Sequence, residues 1–229
     1  MIEILSEGYT RTAEGDTLPP LHLLAENRDE YTQYCIWGTP IEGLLVWERK
    51  LYSDKRGYIQ ELSKVDEIAR TLGRPLVIKQ TTLSYNEPYG VLRGLHAEPM
   101  DKLITPLTGK IFMAIADIRS DSPTFGRYAT FTLDMTNHRK PRKTIVVGNG
   151  LANSFLTMGD EEALYMYQMS NIYQTSKGKR SVRWDDPDLA IPWPITPTNM
   201  SPVDENSNKS LRELFPGKFL EQDVILKHQ

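Results

Sequence analysis

The chain has 229 residues, which is enough for one large domain or two small ones, and its net charge is −3. This mild charge argues against binding to nucleic acid or a membrane surface, and no apolar run approaches the roughly 20 residues that a transmembrane helix needs. Cys35 is the one cysteine, so an intrachain disulfide is excluded and a reducing, cytoplasmic location is expected.

The first 40 residues are polar and poorly periodic, and they begin with acids where a signal peptide would need bases. We expect residues 1–40 to form an N-terminal extension that lies over a main domain. That domain is expected to cover residues 41–229, including a proline-rich C-terminal tail.

Two short helices are predicted. One covers residues 64–72, because the run from Ser63 to Asp66 resembles a capping box and Gly73 can end the helix. The other covers residues 210–215. Short strands recur about every ten residues and are separated by Gly, Pro and Asp; they are predicted at 43–51, 75–84, 90–96, 110–118, 128–133, 143–147, 152–158, 163–169 and 181–184. This spacing is typical of an all-β sandwich or barrel, and no α/β alternation is visible.

One predicted strand carries two functional side chains, Arg93 and His96, three residues apart. Side chains three apart in a regular strand point to opposite faces. Gly94 lies between them, and a glycine inside a strand often marks a bulge that changes this relation. The alternative is an ordinary edge strand with two solvated polar residues.

Several chemistries lack their usual residues. None of the four histidines is paired at His-x-His or His-x-x-x-His spacing, and no cluster of metal ligands is visible. Glycine-rich phosphate loops and a Gly-x-Ser-x-Gly elbow are also missing. Metal-free acid–base chemistry remains, with His96 as a candidate base because imidazole ionises near neutral pH. The basic run at residues 138–143 is predicted to be a solvated turn.

A series of short motifs along the chain can be compared with known families. In order, it contains Asp54-x-Arg56-Gly57, Gly90-Val91-Leu92-Arg93-Gly94-Leu95-His96, Lys102-Leu103, Asp117-Ile118-Arg119-x-x-Ser122-Pro123-Thr124-Phe125-Gly126, Trp184-Asp185-Asp186-Pro187 and Trp193-Pro194. This series resembles the dTDP-4-dehydrorhamnose 3,5-epimerases, which are metal-free cupins of nucleotide-sugar biosynthesis. The resemblance covers about residues 41–215. It implies a jelly-roll cupin that forms a homodimer, needs no metal or cofactor, and holds a nucleotide-diphosphate sugar inside the barrel.

The resemblance also implies catalytic roles. A 4-keto group acidifies the neighbouring C3 and C5 protons, so a base can form an enolate and an acid can return a proton to the other face. His96 matches the base, and Asp204 matches the carboxylate that orients it. Tyr167 matches the proton donor on the opposite face. Lys102 matches the lysine near the 4-oxygen, where negative charge develops.

Substrate-binding roles carry over less completely. Six positions match residues that contact the nucleotide: Arg93 and Arg56 face phosphate, Tyr52 and Tyr173 enclose the base, and Glu61 and Gln80 make polar contacts. Tyr165 shares a strand face with Tyr167 by the two-residue period, but it is expected to be a core aromatic.

Some positions depart from the family pattern. Asn153 stands where a second active-site histidine is usual, and it can donate a hydrogen bond but cannot carry a proton. Ala97 and Glu98 replace an aromatic residue and a glutamine after the catalytic histidine. Val203 replaces a lysine, and Thr82 replaces an asparagine.

We therefore expect enolate chemistry with an altered substrate or outcome. The alternatives are an epimerase that inverts one centre or acts on another nucleotide sugar, such as a GDP-heptose derivative, and a cupin isomerase that moves the keto group. A further alternative is a sugar-nucleotide-binding protein without turnover.

Overall fold

Short strands separated by turns form two large antiparallel sheets, whose central strands are buried along nearly their whole length. The computed structural model describes residues 3–5, 9–11, 16–30, 32–173, 178–206 and 209–219. Its strands are β1 (Glu3–Leu5), β2 (Tyr9–Arg11), β3 (Thr17–Leu18), β4 (His22–Asn27), β5 (Tyr34–Gly38), β6 (Leu44–Arg49), β7 (Tyr52–Asp54), β8 (Gly57–Ile59), β9 (Gln80–Asn86), β10 (Leu92–Ala97), β11 (Lys102–Pro106), β12 (Lys110–Asp117), β13 (Tyr128–Asp134), β14 (Lys143–Val147), β15 (Leu151–Thr157), β16 (Ala163–Met169) and β17 (Arg180–Ser181). The helices are α1 (Val65–Leu72), α2 (Pro202–Asn206) and α3 (Leu211–Leu214), followed by a 3-10 turn at Pro216–Lys218.

The strands form two large sheets and one hairpin. One sheet has the order β1-β2-β3-β13-β12-β15-β10-β17, the other has the order β4-β5-β6-β14-β11-β16-β9, and β7 pairs with β8. Side chains from both large sheets, such as Phe131, Ile145 and Phe155, share one buried cluster. The C-terminal segment packs on the other face of the first sheet, and α1 packs on the other face of the second. The prediction of an all-β fold is therefore confirmed.

The predicted helices are found, although their ends differ in detail. Gly73 ends α1 in the left-handed conformation at φ 67°, as predicted. The capping box predicted at Ser63 is wrong, because Lys64 is the N-cap and makes no side-chain capping bond. A complete capping box instead begins α3, where Ser210 and Glu213 bond reciprocally.

The segment before residue 40 belongs to the sheets. Strand β3 pairs with β13, and β4 and β5 extend the second sheet through β6. The expectation that this segment lies over the main body is therefore wrong for residues 17–38. For residues 1–2, 6–8 and 12–15 that expectation falls outside the described part of the chain, and the domain boundary at residue 40 stays a prediction.

The basic run between β13 and β14 is only partly solvated, so the prediction of a solvated turn holds for His138 and Arg139 but is wrong for the lysines that follow. Lys140 and Lys143 are 4% and 7% exposed. Their ammonium groups lie 2.5 and 2.9 Å from the two carboxylate oxygens of Asp16. Arg142 donates to the backbone oxygen of Leu107 at 2.8 Å. Because buried charges must be paired, Asp16 ties the N-terminal segment to the second half of the chain.

Strand β10 contains the predicted bulge. Its pairing with β15 shifts register between Arg93 and His96. Leu92 and Leu95 nevertheless pack in the same cluster under the C-terminal segment. Arg93 and His96 therefore share the opposite face, which is directed toward the second sheet. The edge-strand alternative is wrong, since β10 lies between β15 and β17.

Replacing Gly94 with alanine should destabilise the fold by at least about 2 kcal/mol. Gly94 has φ +119°, and an added Cβ would lie 2.6 Å from the backbone oxygen of Asn153. The free energy of unfolding measured with urea tests this expectation. Gly126→Ala is the control, because Gly126 also has positive φ, +77°, but open space around it. Equal losses in the two variants would contradict a role for the close approach at Gly94.

Candidate active site

A cavity of about 210 Å³ lies between the two sheets. Strands β10 and β15 of the first sheet face β9, β11 and β16 of the second across it. We call it the His96 cavity, and it is lined by Gln80, Thr82, His96, Glu98, Lys102, Asn153, Tyr167, Met169 and Tyr173.

A histidine–carboxylate pair forms one wall. His96 Nε2 lies 2.6 Å from Asp204 Oδ1, and Asp204 is 4% exposed. Helix α2 carries Asp204, and the Ser201 hydroxyl accepts a hydrogen bond from the Asp204 backbone at 3.1 Å. Burial acts to raise the pKa of Asp204, but the hydrogen bond and charge of His96, together with hydrogen bonds from Ser201 and the Gly94 backbone, leave the pKa lowered. An ionised carboxylate only accepts, so Nε2 carries a proton and Nδ1 is the ring nitrogen that can accept one.

A lysine occupies the floor of the cavity. Lys102 begins β11 and is 5% exposed. Its ammonium donates to the carboxylate of Glu98 and to the side-chain oxygen of Asn153. Burial lowers the pKa of Lys102, and the Glu98 carboxylate partly offsets this effect. The ammonium is thus held by one charged and one neutral acceptor.

A tyrosine lies on the wall opposite His96. Tyr167 is on β16 of the second sheet, and its ring meets that of Tyr165 edge-on with centroids 4.8 Å apart. Tyr165 is fully buried and stacks on Phe155, as expected for a core aromatic. Burial raises the pKa of Tyr167; the Arg93 cation opposes this and Glu98 adds to it. At neutral pH the phenol therefore stays protonated and can donate a proton.

Other predicted binding residues lie at the mouth of the cavity. The backbone N–H of Tyr173 donates to Gln80 Oε1 at 2.9 Å, which joins the loop after β16 to β9. Arg93 is exposed and donates to Asn86 Oδ1 at 2.8 Å. Arg93 does not line the cavity itself, but its positive charge opposes the effect of burial on the pKa of Tyr167.

Two further observations concern metals and membranes. Within the described ranges, no three His, Cys, Asp or Glu side chains lie close enough together to hold a metal ion. No helix in the same ranges is long and apolar enough to cross a membrane.

Residues 38–213 match the family model of dTDP-4-dehydrorhamnose 3,5-epimerase. The chain belongs to this epimerase family. It is 32% identical over 175 residues to the dTDP-4-dehydrorhamnose 3,5-epimerase of Shigella flexneri, a match that covers 75% of this chain and 93% of that protein. It is also 32% identical over 173 residues to the dTDP-4-dehydrorhamnose 3-epimerase of Streptomyces niveus, covering 73% of this chain and 79% of that protein.

A solved structure supports the same assignment. NovW, a 4-keto-6-deoxy sugar epimerase from Streptomyces spheroides, superposes with a TM-score of 0.72 at 29% identity, covering 86% of this chain and 96% of that one. The cupin fold inferred from the motifs is confirmed, and so is the assignment to isomerases of the epimerase type.

Three binding residues expected from the epimerase pattern lie away from the His96 cavity within one chain. Tyr52 and Arg56 belong to the β7–β8 hairpin and form a separate surface pocket. The Tyr52 hydroxyl donates to the backbone oxygen of Glu30 at 2.9 Å. Glu61 follows the hairpin and pairs with Arg49 at 2.6 Å. The structure thus brings most, but not all, of the predicted site together.

The sequence marks Glu98 only as a departure from the epimerase pattern and predicts no role for it. The structure places its carboxylate in the His96 cavity against Lys102. Thr82 and Met169 also line the cavity. A signal for Glu98 was available, because it lies two residues after His96 and side chains two apart along a strand share a face.

Replacing Asp204 with asparagine should weaken the fold and reduce its sensitivity to acid. The folded-state pKa of Asp204 is lowered, so its contribution is complete above the usual aspartate pKa of about 3.9 and is lost as the pH falls through the folded value. We expect a loss of about 1–3 kcal/mol at pH 7, because a hydrogen bond to a charged group is removed. Urea denaturation at pH 7 and through the range below pH 5 measures both effects.

Asp160→Asn serves as the control, because Asp160 is exposed. It should match the wild type at every pH. If Asp204→Asn loses stability with acid as steeply as the wild type, the ionised Asp204 carboxylate does not contribute to the free energy of unfolding through its pairing with His96.

Proposed function

We propose that this epimerase inverts C3, C5 or both in a 4-keto-6-deoxy sugar linked to a nucleoside diphosphate. The observation that carries the proposal is the placement of His96 and Tyr167 on strands of opposite sheets, facing one cavity. A sugar ring held between them would meet a base on one face and an acid on the other. Inversion at a carbon requires this two-sided arrangement.

The reaction proceeds through an enolate. His96 Nδ1 takes a proton from the carbon next to the keto group, and Asp204 stabilises the imidazolium that forms. Negative charge moves to the 4-oxygen, where the Lys102 ammonium stabilises it by about 3–4 kcal/mol, as donors in oxyanion holes do. Tyr167 then delivers a proton to the opposite face of the carbon. Positioned acid–base groups of this kind contribute about 10²–10⁴ in rate.

Two variants should separate proton removal from inversion. In deuterium oxide, His96→Asn should lose solvent exchange by about 10²–10⁴-fold, because the base is gone. Tyr167→Phe should still exchange, because His96 can return a deuteron to the face it attacked, but it should lose inversion. Proton and carbon NMR of dTDP- and GDP-linked 4-keto-6-deoxyhexoses follows both events at C3 and C5.

Tyr165→Phe is the matched control for Tyr167→Phe. The Tyr165 hydroxyl has no hydrogen-bond partner among the described residues, so its removal should leave activity unchanged. If the wild type exchanges no deuterium at C3 or C5 with any of these sugars, the proposed reaction is wrong. A carbonyl that moves to another carbon would instead identify a keto-isomerase, and tight binding without exchange would identify a binding protein.

The number of centres inverted is open to the same measurement. The similarity to a 3-epimerase favours single-centre inversion as the second candidate outcome. Asn153 supports it, because an amide cannot replace a titrating histidine in a second proton transfer. Deuterium at C3 alone, at C5 alone or at both distinguishes these outcomes.

The nucleotide would bind at the cavity mouth. Arg93 is exposed beside the cavity and suits a diphosphate, because a guanidinium fork matches phosphate geometry. Tyr173 is 40% exposed and can cover a base. The chemistry of such a substrate and the lone Cys35 are both consistent with a cytoplasmic location, which we also propose.

A homodimer would complete the site. The β7–β8 hairpin is exposed, with the side chain of Arg56 82% exposed and Ile59 75% exposed. Strand β9, which ends the second sheet beside the cavity, also exposes Leu83 and Tyr85 at 59% and 55%. A second copy packed along this edge would cover the apolar groups and could bring the hairpin residues Tyr52 and Arg56, with Glu61, to its partner's cavity.

Mixing two defective variants tests this arrangement. His96→Asn removes the base, and Arg56→Ala should weaken substrate use about 10-fold to 100-fold through a lost charged hydrogen bond. If the hairpin serves the partner's cavity, exchanged subunits form hybrids with one intact site. The mixture should then reach about a quarter of the wild-type rate.

Lys55→Ala mixed with His96→Asn controls for exposed charge on the same hairpin. It should give only the activity of the Lys55→Ala subunits. A mixture of His96→Asn and Arg56→Ala that never exceeds the sum of its parts, although subunits exchange, would contradict a shared site.

A further inference from the structure

Glu98 is a buried carboxylate for which the proposed reaction has no use. It follows β10, is 6% exposed, and lines the His96 cavity. Its backbone oxygen accepts from the N–H of Met100 at 2.8 Å, which fixes the turn that leads into β11. The base already has its own carboxylate, Asp204. Glu98 therefore needs a separate explanation.

The contacts of Glu98 are directed to one group. Its carboxylate accepts a hydrogen bond from the Lys102 ammonium, whose other acceptor is the side-chain oxygen of Asn153. All three side chains are buried, at 6%, 5% and 5% exposure. A lone buried ammonium is costly and tends to lose its proton, whereas a paired one is retained. Glu98 supplies the negative charge that this pairing requires.

We propose that Glu98 is a positioning residue of the epimerase site, which holds the Lys102 ammonium beside Asn153 and keeps it charged for the developing enolate. The inference deepens the proposed function and rests on it for the role of Lys102. Asn153 adds a hydrogen bond that does not titrate, so it fixes the direction of the ammonium at any pH.

The surroundings of Lys102 support this role. The titratable side chains that share its cavity are His96 from β10, Glu98 from the turn, Tyr167 from β16 and Tyr173 from the following loop. Lys179, which precedes β17, lowers the pKa of Lys102, as burial does more strongly. Among these groups Glu98 is the one that raises the pKa of Lys102.

The same carboxylate affects both proton donors of the cavity. Its charge also raises the pKa of Tyr167, after burial as the main cause. Both the lysine and the phenol are therefore favoured in their protonated forms. The Glu98–Lys102 pair is neutral as a unit, so it does not repel an enolate oxygen that approaches the ammonium.

The titration of Lys102 tests the inference without any substrate. The full-length protein is labelled with 13C at the lysine Cε, and Lys102→Arg assigns the resonance. In Glu98→Gln the titration midpoint of Lys102 should move to lower pH, because the offsetting charge is lost. Glu98→Asp keeps the negative charge but moves it one methylene farther from Lys102, so its Lys102 midpoint should lie between those of the wild type and Glu98→Gln. If Glu98→Gln does not fold, Glu98→Asp is compared with the wild type instead.

Glu161→Gln is the matched control, because Glu161 is exposed. Its Lys102 midpoint should equal that of the wild type. An unchanged midpoint in Glu98→Gln, or in Glu98→Asp when that variant is the comparison, would overturn the inference.

The exchange assay gives the second readout. In Glu98→Gln the loss of activity on the basic side should move to lower pH together with the Lys102 midpoint, with at least a tenfold loss at pH 8. A purely structural Glu98 would instead lower activity by the same factor at every pH, which would overturn the inference. If the wild type exchanges no deuterium with any 4-keto nucleotide sugar, the proposed function fails, and the Lys102 titration still decides whether Glu98 keeps the ammonium charged.

Discussion

The close approach of β10 to β15 at Gly94 determines the geometry of the whole site. Only a residue without Cβ fits there, because the backbone oxygen of Asn153 occupies the space. The resulting bulge turns Arg93 and His96 to one face, while the leucines on either side of it stay in the core. A guanidinium and an imidazole are thereby placed on the same side of a strand, which a regular strand with this spacing could not do.

The two-sheet fold places side chains on two opposite walls of the cavity. Because β10 and β16 belong to different sheets, their side chains approach the cavity from opposite directions. Packing fixes both walls: Asp204 holds His96, and the stacked rings of Phe155 and Tyr165 support Tyr167. Catalytic groups on packed strands lose little freedom when a substrate binds, so less of the binding energy is needed to order them.

Much of this arrangement follows from the sequence, and the exceptions have physical causes. Turn residues and apolar runs predict most strands, but β11 is only five residues long, begins with Lys102 and ends with Pro106, so its pattern gives little strand signal. The basic run at 138–143 looks solvated because its partner, Asp16, lies more than a hundred residues away in sequence. The resemblance to the epimerases predicts that His96, Tyr167 and Lys102 share one site, and all three line the His96 cavity. The sequence pattern of one chain cannot show that the β7–β8 hairpin lies away from the His96 cavity of the same chain.

Two departures from the family pattern, Glu98 and Asn153, act on the same group, the Lys102 ammonium. The usual glutamine and histidine are replaced here by Glu98 and Asn153, and both replacements accept hydrogen bonds from Lys102. A buried ammonium needs acceptors, and here one of them is a carboxylate and the other an amide oxygen that does not titrate. Lys102 is therefore paired with a fixed anion in this chain. The two replacements thus lie around Lys102, while the His96–Asp204 pair keeps the form expected for the family.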